Sequence, residues 1–215
     1  MQDAHISRWG QGSHVSAEVM DSLHDLNHRF LDWAGARAGA PSADWAESSR
    51  GVLPALLAGQ VATLSAAQRA AAAHCPYALF DLRFQDQTYW QLRLQSTRQW
   101  QVADERLIDS ETANFVRLAL FYAWHVAASA KLAAQLLLGM NEPTVVAFRR
   151  MRVNELPALV ATEALNLTAR WSHNGPYWTA LVGSASRMES VGLRRAQLFG
   201  LQLAAAARLP EAQWG

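Results

Sequence analysis

Cysteine is nearly absent from this sequence. Cys75 is the single one among 215 residues, so no disulfide can form within the chain. Such sparse usage is typical of proteins that work in a reducing compartment. The N-terminus also lacks the basic stretch followed by an apolar stretch that marks a secretory signal peptide. We therefore expect a cytoplasmic protein.

Recognisable catalytic and cofactor-binding motifs are missing as well. The sequence has no Gly-x-Ser-x-Gly nucleophile motif, no glycine-rich phosphate loop and no cysteine pair for zinc. His24 and His28 have the spacing of two metal ligands on one helix face, but without a nearby Cys or Glu we interpret them as surface side chains. Asp104 and Glu105 lie in a polar turn, where solvation explains them. We predict a protein that is not an enzyme and that uses no cofactor or metal.

Charged and β-branched residues are sparse, whereas alanine and leucine dominate. Charged side chains make up 17% of the chain and hydrophobic ones 51%, which is ample for a large core. This composition favours α-helices throughout. Tryptophan is frequent, and its scattered positions give no sign of a repeat. The nine tryptophans are Trp9, Trp33, Trp45, Trp90, Trp100, Trp124, Trp171, Trp178 and Trp214.

One long run, over residues 110–139, organises the predicted fold. Asp109 or Ser110 is a good N-cap, no proline interrupts the run, and Gly139 is a natural C-terminal stop. Apolar residues lie on almost every side of such a helix, which is typical of a helix buried in a core or in a membrane. Lys131 lies mid-run, where insertion into lipid costs roughly 2.5–3.5 kcal/mol. We therefore predict an all-α, multi-helix bundle around a long buried central helix, with no membrane span.

An amphipathic helix is predicted near the N-terminus. Ser16 is a good cap for it, and its apolar side chains follow the alternating spacing of three and four residues that forms one continuous stripe. After Trp33, the glycines and the proline of residues 34–42 predict a loop. The stripe consists of Val19, Leu23, Leu26, Phe30 and Trp33.

Short helices are predicted next, over 43–58 and 66–74. Ser65 and Gln68 form the signature of a capping box at the start of the second one. This part of the chain adds no motif that points to a particular chemistry.

Residues 77–94 are ambiguous. Apolar and polar residues alternate over 80–85, which is typical of a strand, but no pairing strand is evident nearby, so we favour short helices. The aromatic residues here either line a small-molecule pocket or belong to an aromatic-rich core, and we favour the core. These aromatic residues are Tyr77, Phe80, Phe84, Tyr89, Trp90 and Trp100.

Two more helices follow the central run in quick succession. Asn141 caps a helix over 142–151, and Asn154 caps another that ends near Asn166. A long helix, a tight glycine turn, a short helix, another turn and a third helix make the layout of a helix-turn-helix unit. We predict such a unit over 127–170.

The C-terminal part is predicted to contain a connection and one further helix. Residues 171–183 are rich in turn formers, and a final helix is predicted over about 184–209. Gly192 and Gly200 within it either permit the close approach of another helix or weaken this one.

Within the predicted unit the sequence resembles a known family. The matching residues are Leu138-Gly-Met-Asn-Glu, then Leu156-Pro-Ala-Leu-Val, then Glu163 and Asn166. Over about 137–171 this block is similar to the C-terminal part of FlhD-like proteins, which form one half of the bacterial FlhD/FlhC flagellar master regulator.

The resemblance covers about a sixth of the chain. FlhD-like proteins are much shorter than this one, so the residues before about 110 have no counterpart in them. What the resemblance implies is an all-helical, dimerising transcriptional regulator that acts with a partner protein.

The same segment supplies candidate DNA contacts. The C-terminal half is mildly basic, and its arginines suit phosphate contacts, which position a protein on DNA without reading its sequence. Among the residues expected on the outer face of the third helix, only Asn166 has a side chain that commonly reads base edges, and Glu155 would repel phosphate. The candidate DNA-contacting residues are Arg149, Arg150, Arg152, Asn154, Thr162, Asn166 and Arg170.

Taken together, the sequence predicts two regions, which are either parts of one continuous domain or separate units. Residues 1–108 are expected to be a helical region for dimerisation or partner binding, and 109–215 to hold the central helix, the helix-turn-helix-like unit and the last helix. The predicted function is a homodimeric transcriptional regulator of FlhD-like type that contacts DNA with a partner protein. The alternative is a helical interaction or adaptor module that does not bind DNA.

Overall fold

A computed structural model describes residues 15–38, 55–95 and 108–207. Within these ranges ten α-helices dominate, accompanied by one 3-10 turn, Val153–Glu155, and two strands of two residues each, so the prediction of an all-α, multi-helix fold is confirmed. The helices are α1 (Ala17–Arg37), α2 (Ala55–Thr63), α3 (Ala66–Ala73), α4 (Gln87–Gln95), α5 (Ser110–Ser129), α6 (Lys131–Leu138), α7 (Glu142–Arg150), α8 (Leu156–Ala164), α9 (Gly175–Ser186) and α10 (Ser190–Ala206). The strands are β1 (Phe80–Asp81) and β2 (Thr168–Ala169).

Several expectations fall outside the described residues. They concern the start of the short helix predicted over 43–58, the far end of the loop predicted over 34–42, Trp100, and the end of the last helix near Leu209.

Helix α1 begins where its cap was predicted and ends later. The Ser16 hydroxyl accepts a hydrogen bond from the Val19 amide at 3.3 Å, and the predicted apolar stripe packs into the core. The helix continues to Arg37, so the loop predicted from residue 34 is wrong over its first residues. The extra turn is held by Arg37, whose guanidinium lies 2.6 Å from the carboxylate of Asp109 at the start of α5.

The central run is two helices instead of one. Both predicted ends are confirmed: the Asp109 carboxylate accepts from the Thr112 amide at 2.8 Å, and Gly139 adopts the left-handed conformation at φ 74°. However, the chain leaves helical geometry at Ala130, where φ is −146° and ψ is 89°, so the single long helix was wrong. Just before the break the Ser129 hydroxyl donates to the His125 carbonyl at 2.8 Å, a side-chain bond of the type that bends helices.

The ambiguous segment contains both a strand and a helix. Phe80 pairs with Ala169, and Asp81 with Thr168, in a short antiparallel ladder. The prediction of short helices is therefore right for α4 and wrong for β1, whose partner strand lies far away in the sequence. Among the described aromatics of the segment, Tyr77, Phe80, Phe84 and Trp90 are fully buried, so they belong to the core.

The helix-turn-helix-like part has one correct cap and one incorrect cap. The side-chain oxygen of Asn141 accepts a hydrogen bond from the Thr144 amide at 2.8 Å, as predicted for the start of α7. Asn154, in contrast, does not cap α8. The 3-10 turn precedes that helix, and the Glu155 carboxylate accepts from the Arg152 amide at 2.7 Å.

The predicted connection over 171–183 is largely helical. Asn174 caps α9 by accepting from the Tyr177 amide at 3.0 Å, so its turn-forming neighbours mark a helix start. The last helix accordingly begins at Ser190, later than predicted. Both glycines of α10 permit close packing: a side chain at Gly192 would collide with Ser184 of α9, and one at Gly200 with Tyr77.

The chain contains an internal structural repeat. The order α1, α2, α3, β1, α4 recurs as α5, α7, α8, β2, α9, with α6 inserted. The turns after the two strands match closely: Arg83 and Trp171 both have positive φ, at 57° and 53°. Trp90 and Trp178 each donate a ring N–H at 3.0 Å, to the carbonyls of Arg83 and Arg170 respectively.

The two repeats are joined around an approximate twofold axis and exchange helices. Strand β1 pairs with its own counterpart β2, and helix α1 runs antiparallel to its counterpart α5. Phe30 lies 5.9 Å from Phe115 towards one end of this helix pair, and the Tyr122 hydroxyl donates to the Val19 carbonyl at 3.0 Å towards the other. Helix α4 packs on α7 of the other repeat, and α9 packs on α2 and α3. Of the scattered tryptophans, Trp90 and Trp178 occupy matching positions of the two repeats.

A single continuous core results from this exchange. It draws buried side chains from both repeats, from Leu23 in α1 to Ala196 in α10. None of the described helices is long and apolar enough to cross a lipid bilayer. The described residues also contain no cluster of three or more His, Cys, Asp or Glu side chains in a metal-binding arrangement.

Candidate partner-binding groove and arginine cluster

A groove runs along the outer side of the antiparallel pair α1 and α5. It encloses about 440 Å³, a volume within the range typical of binding pockets, and it is open to solvent along its length. Side chains from both helices line it. The lining residues are Ser22, Asp25, Leu26 and Arg29 of α1 and Leu118, Phe121, Tyr122, Trp124 and His125 of α5.

The apolar floor of the groove follows from the composition of α5. This helix buries one face against the core through residues such as Val116 and Leu120, yet its sequence is apolar on the opposite side as well. Leu118 is 45% exposed there, and Phe121 and Trp124 are half-buried beside it. An apolar surface of this kind on the outside of a folded chain typically marks an interaction site.

Polar groups border the floor. Asp25 and His125 are exposed, and Arg29 is exposed one turn further along α1. Neither Asp25 nor Arg29 forms an ion pair with any residue that the structure describes. Burial raises the pKa of Tyr122, whose hydroxyl therefore stays a neutral donor to the Val19 carbonyl. The rim can thus meet charges of either sign on a ligand.

The groove wall is connected to the cluster of candidate DNA-contacting residues. The indole N–H of Trp124 donates to the Met151 carbonyl at 2.9 Å, in the turn between α7 and α8. The arginine cluster is formed by Arg149 and Arg150 at the end of α7 and by Arg152 in the turn; all three are exposed. Within the described chain none of them forms an ion pair. Two of them also lie at a helix C-terminus, where the helix dipole stabilises cations.

Only part of the predicted DNA-contacting set belongs to this surface. Asn154 is exposed beside the arginine cluster, but Thr162 and Asn166 are only half-exposed. The Asn166 amide donates to the Tyr89 hydroxyl at 2.9 Å and so is already engaged. Arg170 is 4% exposed, and its guanidinium donates to the Leu137 carbonyl at 2.9 Å, so it is a core residue and its inclusion was wrong.

The outer face of α8 contains no side chain suited to reading bases. Its exposed positions are Pro157 and Ala158, and Leu165 is exposed immediately after the helix. Base edges in the major groove are read by hydrogen-bonding side chains such as Arg, Asn and Gln. The helix that a helix-turn-helix interpretation would assign to base reading therefore exposes mainly apolar groups, and the half-exposed Thr162 is its polar side chain there.

Two buried polar corners were missed by the sequence reasoning. In one, Glu163 is fully buried, accepts from the Tyr89 hydroxyl at 2.5 Å, and lies 3.5 Å from Arg93. Burial raises the pKa of Glu163, although the Tyr89 hydrogen bond and the Arg93 charge oppose the shift. One signal in the sequence could have indicated these corners. A Tyr-Trp pair occurs near the start of both α4 and α9, and the tyrosines of the two pairs, Tyr89 and Tyr177, each form one of the corners.

At that matching corner the Tyr177 hydroxyl donates to the Tyr77 hydroxyl at 3.2 Å, beneath α10. Cys75 lies in the same corner, is fully buried, and has a pKa that burial raises to about 12, so its thiol is unreactive in the folded protein. The Tyr177 corner is fully buried, whereas Tyr89 in the other corner is partly exposed. Both corners fix the exchanged helices, so we assign them a structural role.

Searches against models of protein families, curated protein sequences and solved structures each find no match.

Proposed function

We propose that the protein is a helical interaction module that binds an amphipathic α-helix in the groove between α1 and α5. The observation that carries the proposal is the solvent-facing apolar floor, with Leu118 45% exposed and Phe121 and Trp124 half-buried beside it. Phe121 and Trp124 pack partly against the core, and Leu118 lies on the solvent side of α5 beside them.

A helix suits this groove better than a small molecule does. The groove follows two antiparallel helices, and an apolar helix face resting in such a furrow makes contacts at intervals of three and four residues. The floor supplies the apolar contacts, while Asp25 and Arg29 on the rim fix the direction of the bound helix through its flanking charges.

A matched pair of variants tests the proposal. Leu118→Lys places a charge on the groove floor, and Leu132→Lys places the same charge on α6 at a residue that is 54% exposed. The wild type and both variants are used to capture proteins from a lysate, and each captured protein is purified and titrated against all three. We expect Leu118→Lys to weaken binding at least about tenfold, or about 1.4 kcal/mol, and Leu132→Lys to leave it unchanged.

Circular dichroism and thermal melts confirm beforehand that both variants fold. Equal affinities of Leu118→Lys and the wild type for every captured protein would remove the groove from consideration as a partner site.

Contact with DNA is a second candidate function, favoured by the exposed arginine cluster and by the resemblance to FlhD-like proteins. Arg149, Arg150 and Arg152 present three cations without an acidic partner in the described chain. Arginine pairs well with phosphate, and such contacts position a protein without selecting a sequence. The mechanism we propose is recruitment, in which these arginines hold the DNA backbone while a partner protein bound to the module reads the bases.

The dependence of DNA affinity on salt tests this candidate. Each neutralised phosphate contributes about −0.9 to the slope of log K against log salt, so three contacts predict a slope of about −2.7. Arg149→Ala/Arg150→Ala is expected to reduce it to about −0.9, while Arg187→Ala, on an exposed arginine paired with Glu189, leaves it unchanged. Binding that is indifferent to the double substitution would refute DNA contact by this cluster.

A further inference from the structure

Helix α10 has an outward face that no described element covers. Its inner face packs on α9 and on Tyr77. On the outer face Val191, Leu198 and Leu201 are 39–58% exposed, and their spacings of seven and three residues align them in one stripe. This stripe has the length and pattern of a helix that packs against other helices.

The charges beside the stripe are all of one sign. Arg194 and Arg195 are exposed next to it, and α10 contains no acidic residue. Neither arginine forms an ion pair within the described chain. A partner surface for α10 should therefore be apolar along its middle and acidic along its edge, because opposite charges flanking an apolar seam determine which helices pair.

The same chain carries such a surface. The groove has an apolar floor around Leu118, and its α1 edge carries exposed acidic residues, Asp25 within the groove and Asp21 one turn before it. Neither carboxylate forms an ion pair within the described chain. Arg29 lies on the same edge one turn further along, so the acidic part of the edge is the end that holds Asp21 and Asp25. The α10 stripe and this end of the groove are thus complementary in apolar character and in charge.

We propose that the helix bound in the groove is α10 of a second copy of this chain. Val191, Leu198 and Leu201 of one copy rest on the floor of the other, and Arg194 and Arg195 face the acidic edge. Two copies that exchange their α10 helices make the contact twice, and this closed symmetric dimer, not an open head-to-tail chain, is the arrangement inferred. The inference rests on the proposed function of the groove and names its occupant.

Charge reversal provides the test, with mass measured by light scattering after size exclusion at increasing protein concentration. The wild type is expected to shift from monomer to dimer. Arg194→Glu/Arg195→Glu alone, and Asp21→Lys/Asp25→Lys alone, are both expected to remain monomeric at concentrations where the wild type is a dimer. A mixture of the two variants is expected to dimerise. In the mixed pair the acidic α10 of one variant meets the basic edge of the other, and the second contact keeps its natural arginines and aspartates.

Other outcomes overturn the inference. A wild type that is monomeric at every concentration removes it, and so does a dimer that survives either double substitution or a mixture that stays monomeric. The proposed function of the groove has its own test, because it predicts that Leu118→Lys loses partner binding whether or not the chain dimerises. A monomeric wild type whose captured partner is lost in Leu118→Lys would mean that a different protein fills the groove.

Discussion

Replacing Trp178 by alanine is expected to lower the free energy of unfolding by about 3–5 kcal/mol. The side chain is fully buried in the core, and its ring N–H donates to the Arg170 carbonyl at 3.0 Å. Alanine would leave a large cavity and an unsatisfied carbonyl in the turn that leads from β2 into α9. Chemical denaturation followed by circular dichroism measures the change.

The repeat provides a matched comparison. Trp90 occupies the equivalent position in α4, is equally buried, and packs 4.7 Å from Phe148 of the other repeat. Trp90→Ala is expected to cost about as much as Trp178→Ala, and Leu132→Ala, at an exposed residue, is expected to change stability by less than about 0.5 kcal/mol. A loss below about 1 kcal/mol for either tryptophan would contradict the view that both exchanged helices are anchored in the same way.

Replacing Glu163 by alanine is expected to lower the stability at neutral pH by about 3 kcal/mol, the cost of removing one partner from a buried ion pair. The Tyr89 hydroxyl and the Arg93 guanidinium would lose the carboxylate that they contact. Glu163→Gln retains a hydrogen-bond acceptor for Tyr89 and is expected to lose clearly less. Denaturation at pH 7 compares the two variants with the wild type.

The pH dependence of stability follows from the raised pKa of Glu163. Burial raises this pKa, so the folded protein binds the proton more tightly than the unfolded chain does. This contribution to stability is fully present below the unfolded value of about 4.3 and is lost as the pH rises through the folded value. Glu163→Gln is expected to remove this part of the pH dependence. Stability curves that run parallel for the wild type and Glu163→Gln from pH 4 to pH 8 would contradict it.

Helix caps could be predicted from the sequence because they depend on local hydrogen bonds. Ser16, Asp109, Asn141 and Gly139 all occupy the predicted cap positions. The capping box of α3 is also confirmed, since the Ser65 amide donates to the Gln68 side chain at 2.7 Å. One exception is Asn154, where a 3-10 turn takes the place of a simple cap. Another is the last helix, which was expected to start at a cap at Ser184 or Ser186 and begins after Glu189.

Features that depend on contacts between distant residues could not be predicted in this way. The partner of β1 lies in the second repeat, so the alternating residues of 80–85 offered no visible pairing. The exchange of α4 and α9 likewise follows from the packing of the two repeats. No proline or glycine lies near the break at Ala130 that could have predicted it. The nearest glycine that follows is Gly139, at the far end of α6.

The candidate surfaces divide along the same line. Position on a helix was enough to place Arg149 and Arg150 on the outside. Arg170 was expected to be exposed, but it follows a strand whose pairing directs it into the core. The groove required knowing that α1 and α5 lie side by side, although the sequence held its main signal: α5 is apolar on more faces than one core contact can bury.

A cross-linking experiment tests the central claim, that the groove between α1 and α5 receives α10 of a second copy, most directly. Cys75 is fully buried, so cysteines introduced on the surface react alone. Leu118→Cys and Leu198→Cys proteins are mixed and treated with a short bismaleimide. The account predicts cross-linked dimers that join residue 118 of one copy to residue 198 of the other, and none when Leu132→Cys replaces Leu118→Cys. Products that join only like positions, or no dimer at concentrations where the wild type associates, would contradict it.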